Sequence, residues 1–338
     1  MKIPKKYRFT KRIGSLLATI EANKEVINNI SVPVEIEENI RRQSILGSAL
    51  FSARVEGNIL TRGEISSFSD LSSREKNKLE VANLHRAITS ILEKFTFGKK
   101  FSRKDILRFH KDTMKNILAD EFCGQFRRGH EGVFDSAGNL IYHSSPPSQV
   151  NDLIDQLVVY LNSKKEKIIS IKAVLAHLAL EDIHPFVDGS GRVGRLLQMA
   201  VLCAGGFGMK GLIVPEELVD NNRQSYYRAI EAARENSDAT EFVELMLNFL
   251  AESSTTAKEL LLEKQKNNTP LDLLLPRRRE LVEIIREQRM VSLDFLHRRF
   301  MRVSERLLSY DLKCLMKQGF IVKMGKTRGA LYAPRRET

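Results

Sequence analysis

Between Ile183 and Arg195 the chain reads Ile-His-Pro-Phe-Val-Asp-Gly-Ser-Gly-Arg-Val-Gly-Arg, and the residue types gathered there suit the handling of a phosphate. Gly189-Ser190-Gly191 opens a helical pattern; small residues at a helix N-terminus leave backbone N–H groups and the positive end of the dipole facing an anion. Arg192 and Arg195 stand at i and i+3 on one face of that helix. Each guanidinium can grip phosphate oxygens through its fork of donors. Asp188, just before the turn, offers a carboxylate of the kind that holds Mg²⁺ against phosphate oxygens. His184 carries the one side chain here whose ordinary pKa lets it take a proton near neutrality. Each feature alone is commonplace: a His before Pro usually packs, Gly-Ser-Gly is usually a loop, and paired arginines on a helix are usually solvated. Their convergence within thirteen residues points to phosphoryl or nucleotidyl transfer.

Helices must position this segment. Apolar spacing predicts helices over Glu35 to Glu56, Ser73 to Phe95, Ser102 to Leu118, Pro147 to Ser163, Ile168 to Ile183, Gly191 to Ala204, Asn222 to Asn236 and Thr240 to Lys264, with Gly57 as a C-cap. The body reads as all-α. One interruption, Gly132 to His143, pairs two short β-prone runs across Asp135-Ser136-Ala137-Gly138-Asn139 and predicts a hairpin projecting from the helices. The two prolines and polar residues of 264–276 mark a linker. The expected domains are a helical region over 1–110, a catalytic core over 111–263, that linker, and a small domain over 277–338.

The thirteen-residue stretch closely resembles the Fic family signature HPFxDGNGRxxR, matching it at every position but one. The resemblance spans roughly residues 33–250 and implies an all-α Fic fold with a hairpin flap and transfer of AMP from ATP, with Mg²⁺, to a Ser, Thr or Tyr hydroxyl of a protein. It implies His184 as the base, Asp188 on Mg²⁺, Gly189 to Gly191 as the anion hole, Arg192 and Arg195 on the triphosphate, and Phe186 as a core anchor. Ser190 stands where the family has Asn; its hydroxyl is shorter than an amide, so a weaker side-chain grip with intact backbone donors is expected. Gly124-Gln125-Phe126-Arg127 looks like the family's G-x-F-R element. Leu140, Ile141 and Tyr142 look like the flap that aligns a target by strand addition. Tyr226-Tyr227 sit where relatives place aromatics near adenine, with Tyr227 the adenine-side candidate. His177 reads as a packed core histidine.

Ser52-Ala53-Arg54-Val55-Glu56-Gly57-Asn58 is similar to the family's inhibitory signature, Ser/Thr-x-x-x-Glu-Gly/Asn. A carboxylate in the last turn of a helix faces the negative dipole end and gains from a cation. Arg195 is the candidate, and an ion pair there would occupy the arginine needed for the γ-phosphate. The alternatives are a Fic enzyme that removes AMP, and a DNA-binding regulator whose Fic body senses nucleotide or is inactive.

Charge separates the tail from the rest. Of the net +12, residues from Arg277 onward carry 16 Lys+Arg against 7 Asp+Glu. Three predicted helices, Arg277 to Gln288, Leu293 to Phe300 and Ser304 to Leu315, then two strands, Phe320 to Met324 and Gly329 to Tyr332, resemble a winged helix-turn-helix. Such a domain suits DNA or a docking protein, and a homodimer stays open. Cys123, Cys203 and Cys314 lack partners at metal or disulfide spacing. With no secretion signal or membrane span in the pattern, the cytoplasm is the expected location.

Overall fold

The computed structural model describes residues 3–65, 71, 75–130, 132–134, 140–266, 270–301, 303–325 and 330–335. Four helices, α1 (Lys11–Asn29), α2 (Val34–Val55), α3 (Lys76–Lys94) and α4 (Arg103–Met114), precede a hairpin of β1 (Gly132–Phe134) and β2 (Leu140–His143). Six follow it: α5 (Pro147–Asn162), α6 (Ile169–Ile183), α7 (Ser190–Ala204), α8 (Pro215–Asn221), α9 (Arg223–Asn236) and α10 (Thr240–Lys266). The C-terminal unit holds α11 (Pro276–Gln288), β3 (Val291–Ser292), α12 (Leu293–Arg299), α13 (Glu305–Lys317), β4 (Ile321–Met324) and β5 (Leu331–Pro334).

At the centre of the helical body, Ser170 through Ile183 of α6 are all buried. A helix buried on every side belongs inside a core, and its charges are satisfied: Asp182 meets Lys5 at 3.0 Å and Arg234 at 2.9 Å, and Lys172 donates to the Ser163 carbonyl at 2.7 Å. The facing helix α7 comes close because Gly194 has no side chain; a Cβ there would stand 2.8 Å from the His177 ring. Two helices escaped the sequence reading. Ile13, Ile20 and Ile27 of α1 recur every seventh residue and are buried in a seam against α10, while α8 is only seven residues long and begins at Pro215.

α2 ends as the Gly57 pattern predicts. Gly57 takes φ +95°, its N–H donates to the Arg54 carbonyl at 2.9 Å, and the Asn58 N–H donates to the Ala53 carbonyl at 3.2 Å. This paired closure satisfies carbonyls that a helix end leaves orphaned. It also fixes Glu56 at the cap, one residue beyond the helix.

The flap strands run antiparallel with Gly132 opposite His143 and Val133 opposite Tyr142, and the register shifts between Val133 and Phe134. The turn at 135–139 lies outside the described residues. The C-terminal unit has its own hydrophobic cluster, running from Leu274 to Tyr332. Its sheet has three antiparallel strands in the order β3-β5-β4, where the sequence suggested two; the added strand is two residues long, below what periodicity resolves. No helix among the described residues is long and apolar enough to cross a membrane.

Candidate active site

The site is built where α6 stops and α7 starts. Pro185 cannot continue α6 and disfavours helical geometry in the residue before it, so His184 caps the helix in the left-handed region at φ 45°. A side-chain-bearing residue costs roughly 1 kcal/mol or more in that region. Two contacts hold it. The His184 N–H donates to the Leu180 carbonyl at 2.9 Å, and Arg127 Nε donates to the His184 carbonyl at 2.7 Å. Arg127 also donates to the carbonyls of Gly129 at 2.8 Å and Ser145, so one guanidinium fastens the histidine turn to the base of the flap.

His110 of α4 supports the other half of the loop. The Gly124 N–H donates to His110 Nδ1 at 2.8 Å, which leaves the hydrogen on Nε2 to reach the Asp188 carbonyl at 3.0 Å. The ring stacks on Phe186 with centroids 3.9 Å apart and planes 3° from parallel. Burial lowers the His110 pKa to about 4. The folded imidazole thus refuses a proton that the unfolded chain accepts near pH 6.5, so stability present above pH 6.5 is lost as pH falls through about 4. Between those limits the loss should approach about 3 kcal/mol. Urea unfolding at several pH values checks this, since His110→Phe keeps the stack and should show a shallower pH dependence than wild type.

α7 opens at Gly189, whose φ is +87° and where a Cβ would lie 2.8 Å from Met114 Sδ. At Gly191 a Cβ would collide with Glu56 Oε1 and come within 3.2 Å of Glu181 Oε1. Between them Ser190 is buried, and its hydroxyl accepts from the Phe186 N–H at 3.2 Å. The Ser190 side chain therefore closes the loop upon itself.

Arg192 pairs with Asp188 one turn before it and with Glu80 of α3. Glu80 in turn accepts from Asn58 Nδ2 at 2.7 Å. Arg195 reaches α2: its Nε donates to Ser52 Oγ at 2.9 Å, and its Nη2 donates to the Ser52 carbonyl at 2.9 Å and Glu56 Oε1 at 2.8 Å. The arginine side chain is 3% exposed and that of Glu56 27%. Poorly placed against its own helix dipole, the Glu56 carboxylate lies over the first turn of α7, whose positive end compensates it. Tyr227 braces the same place, its hydroxyl donating to the Val55 carbonyl at 3.1 Å.

Glu181 sits one turn before His184 on α6, and its Oε1 accepts from the Tyr226 hydroxyl at 3.2 Å. Burial pushes its carboxyl up, but contact with His177 and the charges of His177, His184 and Arg195 outweigh that and hold it at about 2. His177 is fully buried, with Nδ1 on Gln198 Oε1 at 2.8 Å and Nε2 on the Tyr226 oxygen at 3.0 Å. Burial pushes the His184 pKa down, opposed by Glu181 and then Glu56. Removing Glu181's charge should lower it further. In a Glu56→Gly background, Glu181→Gln is therefore expected to move the acid limb of the pH profile of kcat/KM to lower pH. A limb that stays or moves up would show that Glu181 does not act on His184.

Four buried side-chain nitrogen or oxygen atoms among the described residues have no hydrogen-bond partner, and three belong to the thirteen-residue stretch: His184 Nδ1, Arg192 Nε and Arg195 Nη1. Buried polar groups are otherwise satisfied almost without exception, so this clustering marks a place built for something else. Among the described residues no cluster of three or more His, Cys, Asp or Glu is arranged to hold a metal. Asp188, its side chain 45% exposed, fits Mg²⁺ in the way that ion is commonly held, by one carboxylate with phosphates and water completing the shell.

The structure thus gathers His184, Asp188, Gly189, Ser190, Gly191, Arg192, Arg195 and Glu56 around one helix N-terminus, with Tyr227 at the rim. The flap backbone of Leu140, Ile141 and Tyr142 forms β2. Sequence reasoning missed the roles of Ser52, Glu80, His110 and Glu181, since each acts across helix packing. Two of them carried a signal: Glu181 stands one turn before His184, and Ser52 is the first residue of the Ser/Thr-x-x-x-Glu pattern that ends on Glu56.

Residues 100–202 match the Fic/DOC family. The chain is 25% identical over 257 residues to the protein adenylyltransferase Fic of Drosophila willistoni, covering 73% of this chain and 47% of that protein. For the same protein of Drosophila melanogaster the figures are 25% over 257 residues, 73% and 48%. The chain spans about half the length of these curated relatives. Among solved structures, a Fic family protein from Desulfovibrio desulfuricans G20 matches with a TM-score of 0.67 at 21% identity, over 100% of this chain and 99% of that one. Fic-1 (aa134 - 508) from C. elegans matches with a TM-score of 0.58 at 19% identity, over 76% and 74%. The chain therefore carries a Fic/DOC segment at residues 100–202, set within a fold shared along its whole length with a Fic family protein.

Proposed function

We propose that this protein is a nucleotidyltransferase that moves AMP from ATP to a hydroxyl of a protein and is restrained in cis by Glu56. The observation that carries the reading is the set of unpartnered atoms His184 Nδ1, Arg192 Nε and Arg195 Nη1 around the start of α7. They comprise one proton-accepting ring and two phosphate-gripping guanidinium groups, beside a turn where Gly189 takes φ +87° and a Cβ on Gly191 would meet the Glu56 carboxylate.

The triphosphate lies along the first turn of α7, with backbone N–H groups, Arg192 and Arg195 holding it. A target segment extends the open edge of the flap and brings its hydroxyl to His184. The half-buried His184 imidazole, its pKa pushed down by desolvation, takes the hydroxyl proton as the oxygen attacks the α-phosphorus; the new P–O bond forms, the bond between the α- and β-phosphates breaks, and pyrophosphate leaves. Mg²⁺ held by Asp188 would supply charge neutralisation on the departing phosphates. Tyr227 lines the nucleobase side. With Glu56 on Arg195 the γ-phosphate loses its ligand, so ATP lies in a pose that does not react.

Glu56 also supports a second reading. Partly exposed beside His184, its carboxylate can orient water toward an AMP-modified hydroxyl and run the reaction in the hydrolytic direction. One experiment separates these: the protein is incubated with labelled ATP and Mg²⁺, and the protein itself and lysate proteins are analysed by mass spectrometry for added AMP. Modified hydroxyls support transfer, and failure of both wild type and Glu56→Gly to label any protein counts against it.

A further inference from the structure

α2 is gripped at both ends. Near its start Asn39, which is 5% exposed, donates from Nδ2 to the Leu274 carbonyl at 3.0 Å, and Arg42 pairs with Glu280 of α11. Near its finish Ser52 and Glu56 hold Arg195. The helix between is unbroken for 22 residues, about 33 Å at 1.5 Å per residue. A shift imposed at one end of such a rod appears at the other.

α11 is tied in turn to α13. Arg277 and Arg278 each donate from Nε to an oxygen of buried Asp311, at 2.6 and 2.9 Å, and the Arg278 guanidinium lies 5.7 Å from the Tyr310 ring centroid. Tyr310 is 57% exposed. Arg306, Tyr310, Lys313 and Lys317 recur at helical spacing on the exposed side of α13, beside exposed Lys323 on β4. This face is cationic and aromatic, with Glu305 the one acid on its exposed end.

We propose that this face of α13 docks on duplex DNA, and that docking is transmitted through α11 and α2 to Glu56. The charge is complementary to phosphate, and residues 277–338 hold 16 Lys+Arg against 7 Asp+Glu. A 13-residue helix is about 20 Å long and fits a major groove roughly 12 Å wide. The cations meet the backbone while Tyr310 and exposed Leu307 face base edges. Phosphates beside Arg278 compete with Asp311 for its guanidinium, so docking loosens the α13 to α11 tie and, through Arg42 and Glu280, the seat of α2. The functional half of the proposal rests on the reading that Glu56 restrains transfer.

The full chain is titrated with a fluorescent duplex of about 20 base pairs, and affinity is expected to fall steeply between roughly 50 and 200 mM salt, because the counterions released on binding return to a more concentrated solution. Arg306→Ala with Lys313→Ala should weaken binding at least about tenfold. Hydrogen exchange of the α2 amides is then followed with and without saturating duplex. Exchange near Ser52 to Glu56 should quicken several-fold and AMP transfer should rise with it. Arg42→Met with Glu280→Gln removes both charges of the clasp; this variant should bind DNA as wild type does yet show no further change in α2 exchange. No binding at low salt, binding undiminished in the α13 variant, preference for an acidic polypeptide over the duplex, or bound DNA that leaves α2 exchange unchanged would each overturn the proposal. The exchange readout does not depend on transfer. DNA-sensitive α2 amides in a protein that never transfers AMP would therefore sink the functional reading and leave this coupling standing.

Discussion

Glu56→Gly should raise AMP transfer, including onto the protein's own hydroxyls, by about 10- to 100-fold. The range follows from the bond removed: a hydrogen bond to a charged group contributes roughly 1.5–3 kcal/mol, and each 1.4 kcal/mol of barrier is about tenfold in rate. Arg195 stays positioned, because Ser52 still receives Nε and one N–H of Nη2 at 2.9 Å, and the Nη2 N–H released by Glu56 joins the unpartnered Nη1 as a phosphate donor. The fold should lose little. Glu56 is a cap residue with φ −92° and ψ 14°, the closure at Gly57 is made by backbone groups, and Tyr227 continues to hold the Val55 carbonyl. Arg195→Ala should not reproduce the gain, since it removes the phosphate ligand along with the lock. Measured side by side with ATP and Mg²⁺, equal rates for wild type and Glu56→Gly would leave Glu56 without an inhibitory role. A variant that accumulates modified target because it no longer removes AMP would favour the hydrolytic reading.

His184→Ala should abolish transfer while leaving ATP affinity within a few-fold of wild type, because it deletes the base and no phosphate ligand. Positioned acid–base groups contribute typically 10²- to 10⁴-fold, and a loss of about that size or larger is expected. The backbone grip on the turn comes from Arg127, which bonds the carbonyl of residue 184 and not its ring, so the loop should keep its shape. The comparison is best made in the Glu56→Gly background, where transfer is high enough to read the loss. ATP binding is followed separately by calorimetry. Transfer that persists near the parental rate would remove His184 from the mechanism, whereas a collapse of ATP binding would recast it as a binding residue.

The sequence by itself determined the local pieces of this protein. Helix periodicity placed eight helices of the body within a few residues of their ends, because burial of one face leaves a 3.6-residue imprint. Gly57 marked the end of α2 because it is at ease at φ +95°, and the thirteen residues from Ile183 stood out as a candidate site because a helix N-terminus, two arginines and a histidine are neighbours along the chain. Periodicity did not reach α1, whose buried seam is a single isoleucine per seven residues, or α8, which spans barely two turns. Tertiary structure alone decided what those pieces meet. His110 lies 78 positions from Asp188, Arg192 is 112 from Glu80, and Arg195 is 139 from Glu56; no spacing rule spans such distances. Whether Ser190 faced an anion or its own loop, and whether a glutamate at a helix end met water or an arginine, depended on which helix packed beside it. Burial supplies the physical reason: a guanidinium sealed between α2 and α7 must find its partners among whatever the core brings within reach, and that is set by the packing of helices distant in the chain.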